Sequence, residues 1–382
     1  MALNNLTVPT DDSEEFQRIL DAAYEKYQDS IENLTDAATD EIETAINRHD
    51  MALKEIVREY VADASQLAKD YHHMLRQAWS EYSDTEFPQF ADDGLVDFDR
   101  VLWQTVHGVA NTDYPGLKFR DVKTGNNKFG VTMDDLWPSM TDIDDAQQFI
   151  GDMISTALRA QTQRSIRRDP TKPRWARVPH GKSCAFCVML ASRGFAYTSE
   201  EAAGGEGNKY HDDCHCRIIT SWGKQALTGY DPDKLLAMWK RSKEGGVNVN
   251  AALARMRRSY REELSDGVWE TSEPWPEDEV VYPYEKVWEH IFERHRFDAT
   301  MPNKTHFPQD WSAEKIKWAV REAVCAPDDI STANDGMKQH RRKMIGEIYV
   351  EVYLKKRRRT KGRFGVESAY PMSEQQRRRL GK

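Results

Sequence analysis

Hydrophobic residues near the start of the chain recur at helical spacing. In "FQRILDAAYEKYQDSIENLTDAATDEIETAI", Phe16, Ile19, Leu20, Ala23 and Tyr27 fall on one stripe, which predicts a long amphipathic helix from residue 13 onward. Asp12 or Ser13 is placed to cap it, with glutamates in the first turn. "ALKEIVREYVADASQLAKDYHHMLRQAWSEY" repeats the stripe through Ile56, Val57, Tyr60 and Val61, so residues 13–82 read as two long helices. The adjacent His72 and His73 point about 100° apart on a helix, so they read as core or exposed histidines rather than a metal pair.

A Pro/Gly/Asp-rich stretch, 84–142, breaks the pattern. Periodicity returns in "DIDDAQQFIGDMISTALRAQTQRSIRR", a helix over roughly 143–168 stopped by Pro170 and Pro173. Residues 232–264 read as helical and strongly charged, and the acidic, Pro-rich "DGVWETSEPWPEDEVVYPYE" places a domain boundary near 276. Beyond it, "DWSAEKIKWAVREAV" predicts a helix capped by Asp310 or Ser312, with Trp318 facing inward. Ile348, Val350, Val352 and Leu354 alternate in "GEIYVEVYLKK", which predicts a strand; "RFGVESAYP" predicts another, and "RRRTKGR" the hairpin loop joining them. No internal repeat is visible.

The 382 residues allow two or three domains. Charged residues reach 31%, yet 11 Trp, 13 Phe and 15 Tyr supply enough apolar surface for real cores, which excludes a disordered chain. No run approaches the roughly 18 apolar residues of a membrane helix, and no membrane partner is expected. "MALNNLTVPTDDSEEF" has neither a basic lead nor an apolar core, so the expectation is synthesis in the cytosol without a secretory leader. The net charge of −9 hides a gradient: residues 1–60 carry net −10 and residues 331–382 net +10. The basic end suits a polyanion, either RNA or DNA.

Four of the five cysteines lie within 33 residues, as Cys184-x2-Cys187 and Cys214-x-Cys216, with His211 and His215 beside the second pair. In a cytosolic protein such clustering favours metal or catalysis over disulfides. Cys-x2-Cys and His-x2-Cys-x-Cys can each supply half of a tetrahedral zinc site, whose thiols the metal itself deprotonates. Cys184, Cys187, His211, Cys214 and Cys216 are five candidates for four places. The four cysteines are favoured, with His211 as the replacement, and a reduced buried cluster or an oxidation-formed disulfide are the rivals. Nothing points to an open catalytic position, so the zinc is expected to be structural, stapling a loop-rich segment. Gly181-Lys182-Ser183 is no phosphate loop, because position 176 is Ala where that motif needs Gly. Nor does a Ser/His/Asp arrangement in a sheet-rich context suggest a protease.

"WARVPHGKSCAFCVMLASRGFAYTS…YHDDCHCRI", residues 175–218, resembles the signature segment of the MuF-like minor capsid proteins of actinobacterial tailed phages. Those proteins also carry a long helical N-terminal region ahead of the cysteines. The resemblance spans roughly 1–222 and implies a head-morphogenesis protein of the virion, in the capsid interior or portal region, with the portal and other head proteins as partners.

"YPYEKVWEHIFERHRFDATMPNKTHFPQDWSAEKI" gathers His290, Arg294, His295, Lys304, Thr305 and His306 within 17 residues. Helices first, strands last, early histidines and a final "ESAYP" resemble the bacterial EndoU-type ribonuclease toxins of the barnase–EndoU–colicin–RelE superfamily. That resemblance implies RNA cleavage without a metal cofactor, leaving 2′,3′-cyclic phosphate ends. It makes His290 and His295 the acid–base candidates, Lys304 and Thr305 the phosphate stabilisers, and Ser368 and Tyr370 orienting groups. RNA, tRNA included, would be the substrate, and an immunity protein a partner.

The expected fold is mainly α, with long N-terminal helices, a small zinc-stapled loop-rich segment and a C-terminal α+β domain bearing a small antiparallel sheet. The expected organisation is a helical MuF-like region over 1–165, a zinc-knuckle segment over 166–222, a helical and acidic connector over 223–275 and an EndoU-like nuclease domain over 276–382. The resulting expectation is a minor head protein carrying a ribonuclease-toxin-like domain. The alternatives are a structural, DNA-binding head protein without catalysis and a bacterial polymorphic toxin.

Overall fold

The computed structural model describes residues 2–49, 52–106, 117–198, 214, 216–299, 304–333, 336–357 and 360–379. It divides into two compact units, Met1–Gly267 and Val268–Lys382.

In the first unit the amphipathic stripes become α1 (Ser13–Asn47) and α2 (Leu53–Tyr82). Phe16, Leu20, Tyr24, Tyr27, Ile31, Ala38 and Ile42 of α1 are buried, as are Val57, Val61, Ala64, Ala68, Tyr71, Leu75 and Trp79 of α2. Phe16 meets Trp79 edge-on at 4.9 Å between ring centroids, and Tyr27 stacks on Tyr71 at 4.1 Å. Early residues of one helix therefore face late residues of the other, as an antiparallel pair requires. Asp12 precedes α1 without a side-chain cap bond. Between α2 and the next long helix, α3 (Phe98–Val106) and α4 (Phe119–Lys123) interrupt the stretch whose sequence shows no periodicity, and Val101, Leu102, Trp103 and Val122 join the core.

The long helix α5 (Ile143–Arg168) is capped by Asp142, which accepts from the Asp145 N–H, and is buried on nearly all sides from Ala157 to Gln163. Its end is tied down by a polar knot. His72 Nε2 lies 3.2 Å from Asp169 Oδ2 and its Nδ1 3.2 Å from Thr220 Oγ1, while Arg76 Nε and the Thr171 N–H and hydroxyl also donate to Asp169. His72 and Asp169 have side chains 0% exposed, so their mutual pairing is what makes burial tolerable. His73, next along the helix, is partly exposed and faces Asp92 at 3.8 Å.

β1 (Arg174–Val178) pairs antiparallel with β2 (Arg217–Ser221), and α6 (Ala185–Ala191) lies in the excursion between them. The cysteine segment thus holds more regular structure than the expected loop-rich staple. Ala176, Val178, Ile219 and Trp222 belong to the same core as the long helices. α7 (Pro232–Ser242) and α8 (Val249–Ser259) add Met238, Leu253 and Met256 against Ala185, Val188 and Leu190 of α6.

The second unit is α+β. β3 (Val280–Val281), α9 (Glu285–His295) and α10 (Ala313–Cys325) precede β4 (Asp329–Ala333), β5 (Lys338–Ile345), β6 (Ile348–Lys356) and β7 (Phe364–Pro371), and α11 (Glu374–Arg379) follows. Ser312, not Asp310, caps α10 through the Lys315 N–H, and Trp318 is half-buried, its indole donating to the Glu270 carbonyl. The sheet order is β3-β7-β6-β5-β4, with β3 parallel to β7 and the rest antiparallel, so the sheet is mixed rather than the antiparallel one expected. Val350, Val352 and Leu354 of β6 pack with Trp288 and Ile291 of α9 and Ile316 and Val320 of α10. One sheet face is thereby covered by helices, and side chains of the intervening positions emerge on the other.

Candidate metal centre and candidate catalytic face

Cys184 ends the approach from β1 and caps α6, its Sγ accepting from the Cys187 N–H at 3.4 Å. Cys214 and Cys216 lie just before β2, and the register Val178↔Arg217 brings both cysteine pairs to the same end of the ribbon. The Sγ atoms of Cys187, Cys214 and Cys216 all lie within 4.8 Å of one another, with Cys187 and Cys214 3.6 Å apart. Zinc–sulfur bonds of about 2.3 Å in a tetrahedron put sulfurs about 3.8 Å apart, so the spacing suits a thiolate-bound ion. All four clustered cysteines are buried free thiols forming one cluster. Hydrogen bonds shared with Cys184, Cys214 and Cys216, then burial, push the Cys187 thiol well above its usual range. Neighbouring thiolates repel, and a cation is what would allow them to coexist. Positive charge is already close: Arg159 Nη1 donates to the Cys214 carbonyl at 3.0 Å, and the buried Arg177 and Arg217 act on the same sulfurs electrostatically. Three buried cysteines are therefore close enough to hold a metal ion, with Cys184 adjoining them. His211 lies outside the described residues.

The second constellation occupies the open face of the C-terminal sheet. A tight turn at Gly346, φ 59°, joins β5 to β6 with Ile345 opposite Ile348. That register lays polar side chains in two rows across four strands. One row runs Ser331, His340, Tyr353, Ser368; the other runs Asp329, Arg342, Glu351, Tyr370. Glu351 is the hub. Its carboxylate accepts from the Tyr370 hydroxyl, from Arg342 Nε and, at 3.0 Å, from His340 Nδ1. Burial alone would raise this carboxyl, but the hydrogen bonds from Tyr370 and Arg342, with the guanidinium charge, outweigh it and hold Glu351 below its ordinary value. Arg342 is fully engaged, its Nη1 also donating to Asp329 at 2.6 Å and to Ser331.

His295, at the end of α9, meets this face. Its Nδ1 lies 2.9 Å from the Thr305 carbonyl and must donate to it, so Nε2 carries the lone pair of the neutral ring. Nε2 lies 3.5 Å from Ser368 Oγ, and the imidazole stands 5.3 Å from the Tyr370 ring. The Phe307 N–H donates to the His295 carbonyl, so the 304–307 segment is stitched to the helix end on both sides. Burial, and then the charge of Lys304, hold the His295 imidazole below its ordinary value despite the Thr305 bond. His290 is half-buried and also depressed, by burial first and by Arg294.

Of the six residues singled out from the sequence, Thr305, Ser368 and Tyr370 each meet His295, Thr305 through its backbone carbonyl rather than its side chain. Lys304 and His290 act on the group electrostatically, without a hydrogen bond to it among the described residues. Sequence reasoning missed His340, Arg342, Glu351 and Asp329. The overlooked signal was Gly346-Glu347, a two-residue turn that pairs "QHRRKMI" with "IYVEVYL". The basic hairpin is partly self-satisfied: Arg357 pairs with Glu367, and Arg363 donates to the Glu277 carbonyl.

No described helix is long and apolar enough to cross a membrane. Comparison with curated proteins finds no match, and comparison with solved structures finds none either. A family model described as VG15 protein matches residues 7–242, from the approach to α1 through the end of α7, and takes in all four clustered cysteines. By that match over more than half its length, the chain belongs to the VG15 protein family and is phage-related.

Proposed function

We propose that this is a MuF-like minor head protein of a tailed phage, carried in the virion near the portal, whose C-terminal unit is a metal-independent endoribonuclease. The family match supports the phage reading over a bacterial toxin, and it covers the same residues that carry the MuF-like motif. In this reading a zinc ion sits on Cys187, Cys214 and Cys216 with Cys184 as fourth ligand. Its chemistry is that of a structural crosslink, holding the α6 cap to the base of β2.

The observation that carries the nuclease reading is His295. The Thr305 backbone carbonyl fixes its tautomer, and its basic nitrogen is directed to a polar sheet face beside Ser368. Held neutral, the ring takes the proton of an RNA 2′-hydroxyl, whose oxygen then attacks the adjacent phosphorus. Lys304 offsets charge growing on the phosphorane, and Ser368 and Tyr370 orient the linkage. The basic residues of the β6–β7 hairpin add sequence-independent attraction for the RNA backbone. An active nuclease of this kind would call for an immunity protein in the producing cell.

The test is incubation of the full chain with single-stranded RNA and with tRNA in EDTA. The expected result is cleavage leaving 2′,3′-cyclic phosphate and 5′-hydroxyl ends, lost in His295→Ala. Intact RNA together with tight, salt-sensitive DNA binding would replace the nuclease with a purely structural, DNA-binding head protein.

A further inference from the structure

We infer that His340, held by Glu351, is the proton donor to the leaving 5′ oxygen, in an acid–base pair for which the resemblance offered only His290 and His295. The inference rests on the reading of this face as a ribonuclease site. Cleavage by this route needs one group to accept the 2′-hydroxyl proton and another to donate a proton to the leaving oxygen. His290 does not fit the donor. Burial lowers it first, the cations Arg294 and Lys304 act against the carboxylates Glu293 and Glu367 around it, and among the described residues no carboxylate is hydrogen-bonded to either ring nitrogen. Tyr370 does not fit either, because its hydroxyl proton is committed to Glu351.

His340 has what both lack. Its Nδ1 donates to a buried carboxylate at 3.0 Å, which fixes the orientation of the ring and leaves Nε2 as the nitrogen that can meet substrate. Its side chain is 27% exposed, and Nε2 has no hydrogen-bond partner among the described residues. Glu351 is itself locked by Arg342 and Tyr370, so it is a positioning residue two steps removed from substrate. His340 sits in the same cross-strand row as Tyr353 and Ser368, and Ser368 is the residue against which His295 Nε2 rests. β5 and β7 are two strand spacings apart, about 10 Å, a gap that a ribose-phosphate linkage with a hydrogen bond at each end can bridge.

The step balances. His295 Nε2 takes the 2′-hydroxyl proton as the O2′–P bond forms, the P–O5′ bond breaks, and O5′ takes the proton from His340 Nε2. The products are a 2′,3′-cyclic phosphate and a 5′-hydroxyl, and solvent exchanges one proton onto His340 and one off His295.

A leaving group that needs no proton separates the two roles. One RNA is prepared in two forms, normal and with sulfur replacing the bridging 5′ oxygen at the cleaved linkage, and both are given to the full-length protein. His340→Ala is expected to cleave normal RNA on the order of 10²–10⁴-fold more slowly than the unmodified chain, yet to cleave the sulfur-bridged RNA within about fivefold of it. His295→Ala should lose both substrates, and Glu351→Gln should show the leaving-group split in weaker form. Retained cleavage of the sulfur substrate also shows that the variant is folded. Normal RNA cleavage by His340→Ala, or equal impairment on both substrates, overturns the donor assignment while leaving the nuclease reading intact. Failure of the unmodified chain to cleave any RNA overturns both.

Discussion

The two units each bury a carboxylate against a histidine, and they use the pair differently. In the N-terminal unit His72 and Asp169 are 0% exposed, and Arg76 Nε and the Thr171 hydroxyl also donate to the Asp169 carboxylate. In the C-terminal unit Glu351 is 7% exposed and His340 27%, so the carboxylate is sealed while one imidazole nitrogen stays open. Similar chemistry therefore gives a structural knot in one place and a candidate catalytic dyad in the other. What separates them is the second nitrogen of the ring. In His72 it is spent on Thr220, and in His340 it has no partner among the described residues.

The largest effect that sharpens this contrast is on chemistry. His295→Ala should lower RNA cleavage on the order of 10²–10⁴-fold with little change in thermal unfolding, measured on end-labelled RNA. Next comes the sealed pair. His72→Ala leaves Asp169 buried and short of a partner, so a loss of about 3–5 kcal/mol is expected, seen as a fall of roughly 10 °C in the unfolding of the N-terminal unit. The metal centre should follow. The chain should carry about one equivalent of zinc, and Cys187→Ser should reduce it. Less than about half an equivalent in the unmodified protein would count against the site.

A smaller effect should appear in acid. Burial works against ionisation of Asp169, but hydrogen bonds from His72 and Thr171 prevail and depress it, and Glu351 is depressed likewise. A folded-state value below the unfolded one means the stabilisation is complete above about pH 4 and is lost as pH falls through the folded value. Denaturant midpoints below pH 4 should therefore fall faster in the unmodified chain than in Asp169→Asn.

The long helices were legible because nothing in them conflicts. Stripes such as Phe16–Leu20–Tyr27 match a 3.6-residue period, and Pro170 marks a stop. The cysteine cluster was legible as spacing, though not the β1–β2 ribbon that closes it, since "RWARV" is short and its partner lies some forty residues on. β5 was hidden for a different reason. "KQHRRKMI" is polar on both faces, because Arg341 is drawn to Glu279 and the Val324 carbonyl on one side and Arg342 to Glu351 on the other. Its strand character comes from its partners, and the candidate catalytic face inherits that opacity. The two-residue β3 and its parallel partner β7, about eighty residues later, leave no local signal at all.

The most direct measurement sets the two pairs side by side: RNA cleavage and thermal unfolding, each recorded for His72→Ala and His340→Ala in the full chain. The account predicts a lowered melting temperature with near-normal cleavage for the first, and near-normal melting with cleavage of normal RNA reduced at least a hundredfold for the second. Two variants alike in both readouts, or a His340→Ala protein that cleaves RNA normally, would contradict it.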